Sequence, residues 1–537
     1  MGNKEIANQF NLLGKLMELH GENPFKTRSY LSAYNTLRRF PNNISEMSEE
    51  ELLELPGIGK AIQAKINELL ETGNISNLVK YLELTPPGIV QIMKVKGLGV
   101  KKIKLLWKEL DVESPGELLY ACRENRLIEL KGFGEKTQAD VIEQLEYLIA
   151  SQGKHHFATV YPISIDLEKQ LFDKYPKSRF SLIGQMLRKC QIIDKIDLVG
   201  TLKFEELELE GLELKDDMLY FNDILFDYKQ VSENDFVKTV FKLSCHPEYF
   251  KAFGFKIGKE ENENEIYKSN SLPFHSPEIR EPENIKILKK EKLELNLVKP
   301  QDIKGVIHNH TNYSDGVNTI EEMANETHQL GYEYISITDH SKSAFYANGL
   351  QPERLLKQLE EIKVINKNAP IKIFSGIESD ILSNGSLDYD NEILNQLDLV
   401  VASVHSVLKM DKEKATNRVI KAIEDPHTRI LGHPSGRLLL SRKGYPLDYE
   451  KVIDACAANN VVLEINANPY RLDLDWRYIS KAMEKGVLLS INPDAHSIGG
   501  IKDIFFGVCA ARKGMLTIES TLNSKTLSEF EAWINSK

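Results

Sequence analysis

Apolar residues change their spacing along this chain, and the changes divide it into three blocks. Residues 1–150 carry apolar positions at helical spacing, broken by glycine turns. Residues 155–250 mix strand-like and helical runs, whereas residues 300–537 alternate short apolar strands with helices. Between these last two blocks, residues 255–300 are rich in charge and Asn, so we expect a linker with few packed elements.

Seven apolar runs follow residue 303 and predict the strands of a β/α barrel: IKGVIHNH, YISITDH, IKIFSGIE, DLVVASVH, TRILGH, VVLEINAN and VLLSINPDAH. Six of these runs end on, or just before, a side chain that can bind a metal ion. These side chains are His308, His310, His340, Glu378, His405, His433, Asp494 and His496. Because the carboxyl ends of barrel strands meet at one rim, we expect the side chains to converge there.

The residue types at this rim indicate a metal site. His308 and His310 are two apart on a strand, so both rings face the same way and can bind one ion. Asp315 lies in the loop that follows them. Neutral imidazoles with carboxylates suit zinc, manganese or iron, and the choice among these stays open. A single histidine at a strand end is usually a core or loop residue, but six in succession are not explained that way.

A repeated motif in the N-terminal block has the form helix, Gly-x-Gly, helix. Its copies are LLELPGIGKAIQAKI at 52–66, IMKVKGLGVKKIKLL at 92–106 and LIELKGFGEKTQADV at 127–141, with glycines at Gly57, Gly59, Gly97, Gly99, Gly132 and Gly134. Such turns let backbone N–H groups approach a phosphate, and Lys60, Lys101, Lys102 and Lys104 could add charge. The pattern is that of a helix-hairpin-helix; helix C-cap glycines in an all-helical domain are the alternative. The third copy is expected to be the weakest, because Glu135 replaces the lysine.

Charge and cysteine content indicate the cellular compartment and the kinds of partner to expect. A net charge of −11 argues against nonspecific coating of nucleic acid, although residues 1–150 hold 19 Lys/Arg against 21 Asp/Glu and are nearly neutral. The five cysteines form no close pair, which favours a reducing cytoplasm over a disulfide framework or a thiolate zinc site. With no apolar leader and no run of about 18 apolar residues, a soluble intracellular protein without membrane contact is expected.

The opening segment, IANQFNLLGKLMELHGENPFKTRSYLSAYNTLRRF, resembles the start of the bacterial X-family DNA polymerases (PolX). The resemblance implies an eight-kilodalton-type domain that grips a downstream 5′ phosphate in gapped DNA. Its candidate cations are Lys26, Arg28, Arg38 and Arg39. An ordinary solvated helix face is the alternative.

The stretch FSLIGQMLRKCQIIDKIDLVG at 180–200, with FDYKQV at 226–231, resembles the palm of the same family. That palm uses a Gly-Ser motif for the nucleotide and three aspartates for two divalent ions. Here Gly184 keeps the glycine, Gln185 replaces the serine, Lys195 falls on the first aspartate, Asp197 on the second and Asp227 on the third. A lysine there would neutralise the two carboxylates without metal, and Asp194 faces the opposite side of the strand. We therefore predict a degenerate palm with little or no polymerase activity.

The motifs HNHTNYSDG, ITDHS, GIESD, ASVHS, LGHPSGR, EINANPYRLD and INPDAHS resemble the PHP (polymerase and histidinol phosphatase) superfamily, in the form fused to X-family polymerases. The resemblance implies a distorted seven-stranded (β/α)7 barrel with up to three ions of Mn²⁺ or Zn²⁺, Mg²⁺ being possible. It assigns His308, His310, Glu378 and Asp494 to the first ion, Glu378, His405 and His433 to the second, and Asp315, His340 and His496 to the third. Glu378, Asp494 and His496 are the candidate catalytic residues, and the metal ions would lower the pKa of a shared water to make a hydroxide nucleophile. Lys342, Arg437 and Arg471 could contact substrate phosphate, or form surface salt bridges.

These patterns give a multidomain chain of five regions. They are a helical DNA-binding domain at 1–80, a fingers-like helical region at 81–150, an α+β palm at 151–254, a reduced thumb or linker at 255–300 and the α/β PHP domain at 301–537. The function expected is a metal-dependent 3′-5′ exonuclease or 3′-end phosphodiesterase of DNA repair, monomeric and acting on gapped, nicked or 3′-ended DNA. The alternatives are an active gap-filling polymerase, a histidinol-phosphatase-like enzyme and a noncatalytic DNA-binding scaffold.

Overall fold

The computed structural model describes residues 1–110, 112–123, 127, 133–150, 153–440 and 443–536. The chain forms two compact units, residues 1–152 and residues 153–537. Among the described residues, no helix combines the length and the apolar character needed to cross a bilayer.

The first unit is helical in its described part. Its helices are α1 (Asn3–Leu19), α2 (Pro24–Arg39), α3 (Glu49–Glu54), α4 (Lys60–Thr72), α5 (Ser76–Glu83), α6 (Pro87–Ile92), α7 (Val100–Glu109), α8 (Pro115–Arg123) and α9 (Glu135–Ala150). Helix α2 begins where the Asn23 side chain accepts from the Phe25 amide, and α4 ends at Gly73 in the left-handed conformation. Phe10, Leu16 and Ile66 are among the fully buried residues of its core. The helical prediction is confirmed for these residues.

The second unit opens with two small sheets and their helices. The elements are β1 (His155–His156), α10 (Phe157–Lys174), β2 (Phe180–Leu182), α11 (Gly184–Leu187), β3 (Ile192–Ile193), β4 (Ile196–Gly200), β5 (Leu212–Lys215), β6 (Met218–Phe221), β7 (Ile224–Gln230) and α12 (Glu233–Ser244). Strands β1 and β3 pair with each other, and the other five form a sheet of order β2-β4-β7-β6-β5. Strands β4 and β7 are parallel and place Asp197 beside Asp227. We refer to residues 153–244 as the palm.

Residues 255–300 are packed, so the expectation of a linker with few packed elements is wrong. Helices α13 (Pro247–Phe253), α14 (Glu263–Ser269) and α15 (Ile285–Leu288) surround an aromatic core. Arg280 is fully buried there: its guanidinium lies over the rings of Phe241 and Tyr267 and forms a 2.7 Å ion pair with Glu263. Cation–π contacts and a carboxylate compensate for the burial of this charge. Aromatic residues scattered among the charges supply this core.

The remainder of the second unit is a barrel of parallel strands. Its elements are β8 (Gly305–Val306), α16 (Ile320–Gln329), β9 (Tyr334–Ile337), α17 (Pro352–Ile365), β10 (Lys372–Asp380), α18 (Asn391–Leu394), β11 (Leu399–Ser403), α19 (Lys412–Ile423), β12 (Thr428–Leu431), α20 (Tyr449–Asn459), β13 (Val462–Asn466), α21 (Ile479–Glu484), β14 (Leu489–Asn492), α22 (Ile504–Lys513) and α23 (Leu527–Ile534). The seven strands follow chain order, β8 to β14. An isolated bridge between Asn309 and Ala495 joins the two edge strands. The predicted distorted seven-stranded barrel is confirmed.

The palm packs directly against the barrel. Tyr161 of α10 contacts Phe505 of α22, with ring centroids 4.9 Å apart. Buried Glu281 forms ion pairs with Arg188 of the palm at 3.0 Å and with Lys513 of α22 at 2.5 Å. Apolar and ionic contacts therefore tie the palm, the aromatic core and the barrel together.

Candidate active site

Glu378 is the centre of the predicted ligand set. It lies near the end of β10, is fully buried, and is surrounded by five imidazole nitrogens. Its Oε1 lies 2.9 Å from His433 Nε2, 3.2 Å from His405 Nε2 and 3.3 Å from His308 Nε2, and its Oε2 lies 3.0 Å from His340 Nδ1 and 3.6 Å from His310 Nε2. A carboxylate so placed can bridge two metal ions.

Asp494, Asp315 and His496 complete the set. Asp494 Oδ1 lies 3.1 Å from His310 Nε2, and Asp315 Oδ1 lies 3.4 Å from His496 Nε2. Three groups have donor atoms within 4.8 Å of one another: His308, His310 and Glu378; His340, Glu378 and His405; and His310, Asp315, His340 and His496. The structure thus brings all nine predicted ligands to one rim of the barrel, which matches the position expected from the strand ends.

Unsatisfied polar atoms at the centre fit a metal. In the described part of the chain, His308 Nε2, both ring nitrogens of His310 and Glu378 Oε2 are buried, and the ligand atoms close to them do not meet them with hydrogen-bond geometry. Each such atom costs about 1–3 kcal/mol if nothing compensates for its lost hydration. Metal ions would coordinate these atoms, and the mixture of nitrogen and oxygen donors suits zinc and manganese.

A buried carboxylate that the sequence reasoning missed orients two ligands. Glu464 Oε2 accepts from His308 Nδ1 at 2.6 Å, which leaves Nε2 of that ring facing Glu378. Its Oε1 accepts from the backbone N–H of His433 at 3.0 Å. Asp380 holds His405 in the same way, at 2.5 Å from Nδ1. Carboxylates that fix the tautomer of a ligating histidine are typical of metal sites.

The only sequence signal for these two carboxylates was their spacing. Asp380 follows Glu378 by two residues on one strand, and Glu464 lies on β13 within the EINAN motif. Side chains two apart on a strand share a face. That rule would have placed Asp380 beside the site, but it could not have identified its histidine partner.

Charged neighbours and burial shift the pKa values of the site's carboxylates in opposite directions. Burial alone would raise the pKa of Glu378, but His405 and His308 hold it well below its ordinary value. Asp494 behaves in the same way, mainly through His308. Burial lowers the pKa of His310 to about 3, so this ring is neutral and can donate a lone pair to a metal. At physiological pH these carboxylates are therefore ionised and the His310 imidazole is neutral, which are the forms that bind a metal ion. Glu378 and Asp380, against the effect of burial, raise the pKa of His405 to about 10, so a metal ion that binds this ring displaces a proton.

Three of the ligand residues have unusual backbone angles. His308, Asp494 and His433 have φ values of +64°, +52° and +21°. This region disfavours residues other than glycine, and such strain clusters at functional sites. The surrounding fold therefore imposes the ligand positions at the expense of local backbone preference.

The three basic residues predicted to contact phosphate differ in their surroundings. Arg471 Nε lies 3.7 Å from Asp494 Oδ2, at the edge of the metal site. Arg437 instead pairs with Asp475 at 2.5 Å and donates to the Arg471 carbonyl at 3.1 Å, so its guanidinium is engaged within the protein and not directed at a substrate. Lys342 lies 5.3 Å from the Tyr389 ring.

The palm contains the arrangement that the alignment predicted. Lys195 Nζ lies 2.7 Å from Asp197 Oδ1 and 2.9 Å from Asp227 Oδ2, between the two carboxylates. Burial lowers the pKa of Lys195, but its hydrogen bonds to these aspartates raise it by more, so it remains an ammonium. Gln185 donates to Asp194 at 2.7 Å. The amine occupies the space between the carboxylates that would hold a metal ion.

Comparison with known proteins covers nearly the whole chain. It is 33% identical over 572 aligned positions to the DNA polymerase/3′-5′ exonuclease PolX of Bacillus subtilis, covering 99% of each chain. The chain belongs to the PolX family. Within this PolX-family chain, residues 307–468 match the PHP domain, residues 1–75 a helix-hairpin-helix domain, and residues 90–146 a SAM-like helix-hairpin-helix tandem. PHP domains are metal-dependent, and the clustered donors of this one can bind metal.

Other relatives match a smaller part of the chain. A probable phosphatase of Thermoanaerobacter sp. is 33% identical over 200 residues, which are 35% of this chain and 77% of the phosphatase. A probable phosphatase of Clostridium acetobutylicum is 27% identical over 206 residues, or 35% of this chain and 78% of that protein. The similarity to these proteins is therefore confined to about a third of the PolX-family chain.

The first two glycine hairpins of this PolX-family chain have the predicted shape. Gly57 and Gly97 adopt φ values of +79° and +85°, while Gly59 and Gly99 are the N-caps of α4 and α7. A side chain at Gly59, Gly97 or Gly99 would meet no described atom within 4 Å, so these turns face open space. Such exposed helix N-termini can bind a phosphate through their backbone N–H groups.

The basic residues predicted around these hairpins are mostly exposed. Lys26, Arg28, Arg39, Lys60, Lys101 and Lys104 are exposed, Arg38 donates to Tyr34 at 3.0 Å, and Lys102 lies 4.9 Å from the Phe133 ring. In the third hairpin Gly134 is described, whereas Gly132 lies outside the described residues.

Proposed function

We propose that this PolX-family chain is a metal-dependent 3′-5′ exonuclease or 3′-end phosphodiesterase of DNA repair that acts through its PHP barrel. The convergence of nine metal-type ligands on buried Glu378 carries the proposal. Similarity over 99% of both chains to a relative named as a DNA polymerase and 3′-5′ exonuclease supports DNA as the substrate.

In this proposal His308, His310, Glu378 and Asp494 hold one ion, His405 and His433 hold a second with Glu378, and Asp315, His340 and His496 hold a third. Bound divalent ions, Mn²⁺ or Zn²⁺ with Mg²⁺ possible, supply a hydroxide nucleophile at neutral pH and neutralise charge on the phosphate. Glu378, Asp494 and His496 serve catalysis by holding those ions.

The protein's own groups orient this chemistry. Glu464 keeps Nε2 of His308 directed inward, and Asp380 does the same for His405. We propose that Arg471, beside Asp494, binds a non-bridging phosphate oxygen of the substrate. The charge that develops on that oxygen in the transition state strengthens the interaction.

The palm is proposed to have little or no polymerase activity. Nucleotidyl transfer of this type needs two divalent ions between the carboxylates, and Lys195 lies within 2.9 Å of both Asp197 and Asp227. A metal ion would have to displace an ammonium that makes two ion pairs, and the loss of those pairs opposes metal binding. The helical unit, with its exposed glycine turns and lysines, is proposed to grip the DNA backbone independently of sequence.

One assay tests the leading proposal. The protein is incubated with Mn²⁺ and 3′-labelled gapped DNA, beside His308→Ala, a primer-extension reaction with dNTPs, and histidinol phosphate. We expect release of 3′ nucleotides that His308→Ala abolishes, and no extension. Absence of nuclease activity, or nuclease activity that persists in His308→Ala, would refute the proposal; primer extension would refute only the proposed loss of polymerase activity.

A small-molecule phosphatase is the second candidate. It is favoured by the probable phosphatases, because 35% of this chain matches 77% of the length of one of them. Release of inorganic phosphate from histidinol phosphate, with DNA left intact, would support it. The helical unit would have no role in that reaction, which is why we rank it second.

A further inference from the structure

The segment that carries Arg471 is held by three successive backbone carbonyls. They belong to Tyr470, which accepts from Leu439 N at 2.7 Å; to Arg471, which accepts from Arg437 Nε at 3.1 Å; and to Leu472, which accepts from Arg437 Nη2 and, at 3.4 Å, from Gln191 Nε2. The direction of the Arg471 side chain therefore depends on the groups that bind these carbonyls.

Two of the side chains that hold this segment come from the palm and not from the barrel. Gln191, just before β3, donates to the Leu472 carbonyl and accepts from Arg437 Nη2 at 3.3 Å. His156 of β1 has Nε2 3.1 Å from the Leu439 carbonyl, and its ring lies edge-on to Tyr470 with centroids 4.7 Å apart. The palm thus contacts the segment that carries Arg471, next to the proposed metal site.

The backbone next to Arg471 needs this support. Leu472 has a φ of +44°, a conformation that costs a leucine about 1 kcal/mol or more. Loss of the hydrogen bonds to its carbonyl would let the backbone relax toward negative φ. Because Arg471 is the preceding residue and its Nε lies only 3.7 Å from Asp494, such a change would move the guanidinium relative to the metal site.

We propose that Gln191 and His156 are positioning residues of the PHP active site, through which the palm holds Arg471 in place for the substrate phosphate. The palm, with Lys195 closing its own carboxylate pair, then acts as a structural part of the nuclease. This inference rests on the proposed phosphate contact of Arg471.

A double-mutant cycle tests it. The variants are Gln191→Leu, Arg471→Ala, the double variant, and His156→Ala alone and with Arg471→Ala. Each is assayed with Mn²⁺ on 3′-labelled DNA and on bis(p-nitrophenyl) phosphate. Gln191→Leu should lower kcat/KM about 3–10-fold, the loss of one or two hydrogen bonds, and His156→Ala should act in the same direction. In the Arg471→Ala background either change should lower it by less than about 2-fold, because residues that act through a shared partner are not additive.

Gln170→Leu is the matched control. Gln170 is also in the palm and also hydrogen-bonded, to Asp166 at 2.8 Å and to the Glu210 amide at 2.9 Å, but these contacts lie within the palm. Its activity should equal that of the wild type. Metal content and melting temperature are measured on every variant. If Gln191→Leu does not fold, Gln191→Glu replaces it, since it loses the donor to Leu472 while keeping an acceptor for Arg437.

The outcomes are distinguishable from failure of the proposed function. Full effects of Gln191→Leu and His156→Ala in the Arg471→Ala background, or no effect in the wild-type background, would overturn the positioning role. If DNA is not degraded but the diester is hydrolysed in a His308-dependent manner, the proposed function fails, and the cycle is still read on the diester.

Discussion

Replacing Glu464 with glutamine tests how the ligand cage is held. The carboxylate is fully buried and accepts four hydrogen bonds, two at each oxygen. The donors are His308 Nδ1, Asn492 Nδ2, His433 N and Asn466 Nδ2, at 2.6, 2.9, 3.0 and 3.0 Å. A glutamine must turn its NH₂ group toward one of these pairs of donors, so two hydrogen bonds are lost whichever way the amide points.

The expected magnitude follows from this geometry. Hydrogen bonds to a charged group contribute about 1.5–3 kcal/mol each, so we expect Glu464→Gln to destabilise the barrel by about 3 kcal/mol or more. The tautomer of His308 is no longer fixed, which should weaken Mn²⁺ binding about 10–100-fold. Calorimetric titration with Mn²⁺ measures the affinity, and chemical denaturation measures the stability.

The matched control is Glu333→Gln, because Glu333 accepts from the Leu527 amide at 3.0 Å and contacts no ligand of the metal site. It should bind Mn²⁺ as the wild type does. Unchanged Mn²⁺ affinity in Glu464→Gln would show that the cage does not depend on this carboxylate, and the reasoning about the tautomer of His308 would be wrong.

Three further predictions concern other parts of the chain. Lys195→Asp should give Mn²⁺-dependent primer extension, which the wild type should lack. The control is Lys195→Asn, because asparagine has the shape of aspartate without its charge. Extension by Lys195→Asn would contradict the need for a third carboxylate. Gly57→Ala places a Cβ 2.8 Å from Ser32 Oγ at a φ of +79°, so it should lower stability by about 1–2 kcal/mol and weaken DNA binding measured by fluorescence anisotropy. The control, Gly73→Ala, has a φ of +75° in open space and should lower stability without changing DNA binding. Burial, aided by a neighbouring arginine, lowers the pKa of His275 to about 4 from its ordinary 6.5. The free energy of unfolding should therefore be higher by about 3 kcal/mol above pH 6.5, and this difference is lost as the pH falls toward 4. His275→Gln should flatten the stability profile in that window, and an unchanged profile would exclude this residue as its source.

The barrel and its ligands could be predicted because their signals are local. Six of the seven strands end on, or just before, a ligand, and period-two spacing places His308 and His310 on one face without any knowledge of the fold. Lys195 could be placed between Asp197 and Asp227 for the same reason, once a resemblance supplied the register of β4 and β7.

Long-range pairing accounts for what the sequence did not reveal. Arg437 was expected at the substrate because it follows a motif, but its partner Asp475 comes from a different loop. Buried Arg280 lies in a segment whose composition suggests a linker, and only the fold brings aromatic rings against its charge. Residues 255–300 were therefore misjudged by composition, which measures polarity but not the pairing that makes polarity tolerable inside a core.

The weakly paired junction between the first and last barrel strands should affect the stability of the protein when its ions are removed. In the described residues one bridge joins these edges, with the His310 amide donating to the Ala495 carbonyl at 2.8 Å. His308 and His310 lie on one side of this junction, and Asp494 and His496 lie on the other. Ions bound to both pairs would cross-link distant parts of the chain, as a disulfide does. Chelation should therefore speed amide hydrogen exchange and proteolysis at this junction, so that prolonged exposure to a chelator removes folded protein as well as activity.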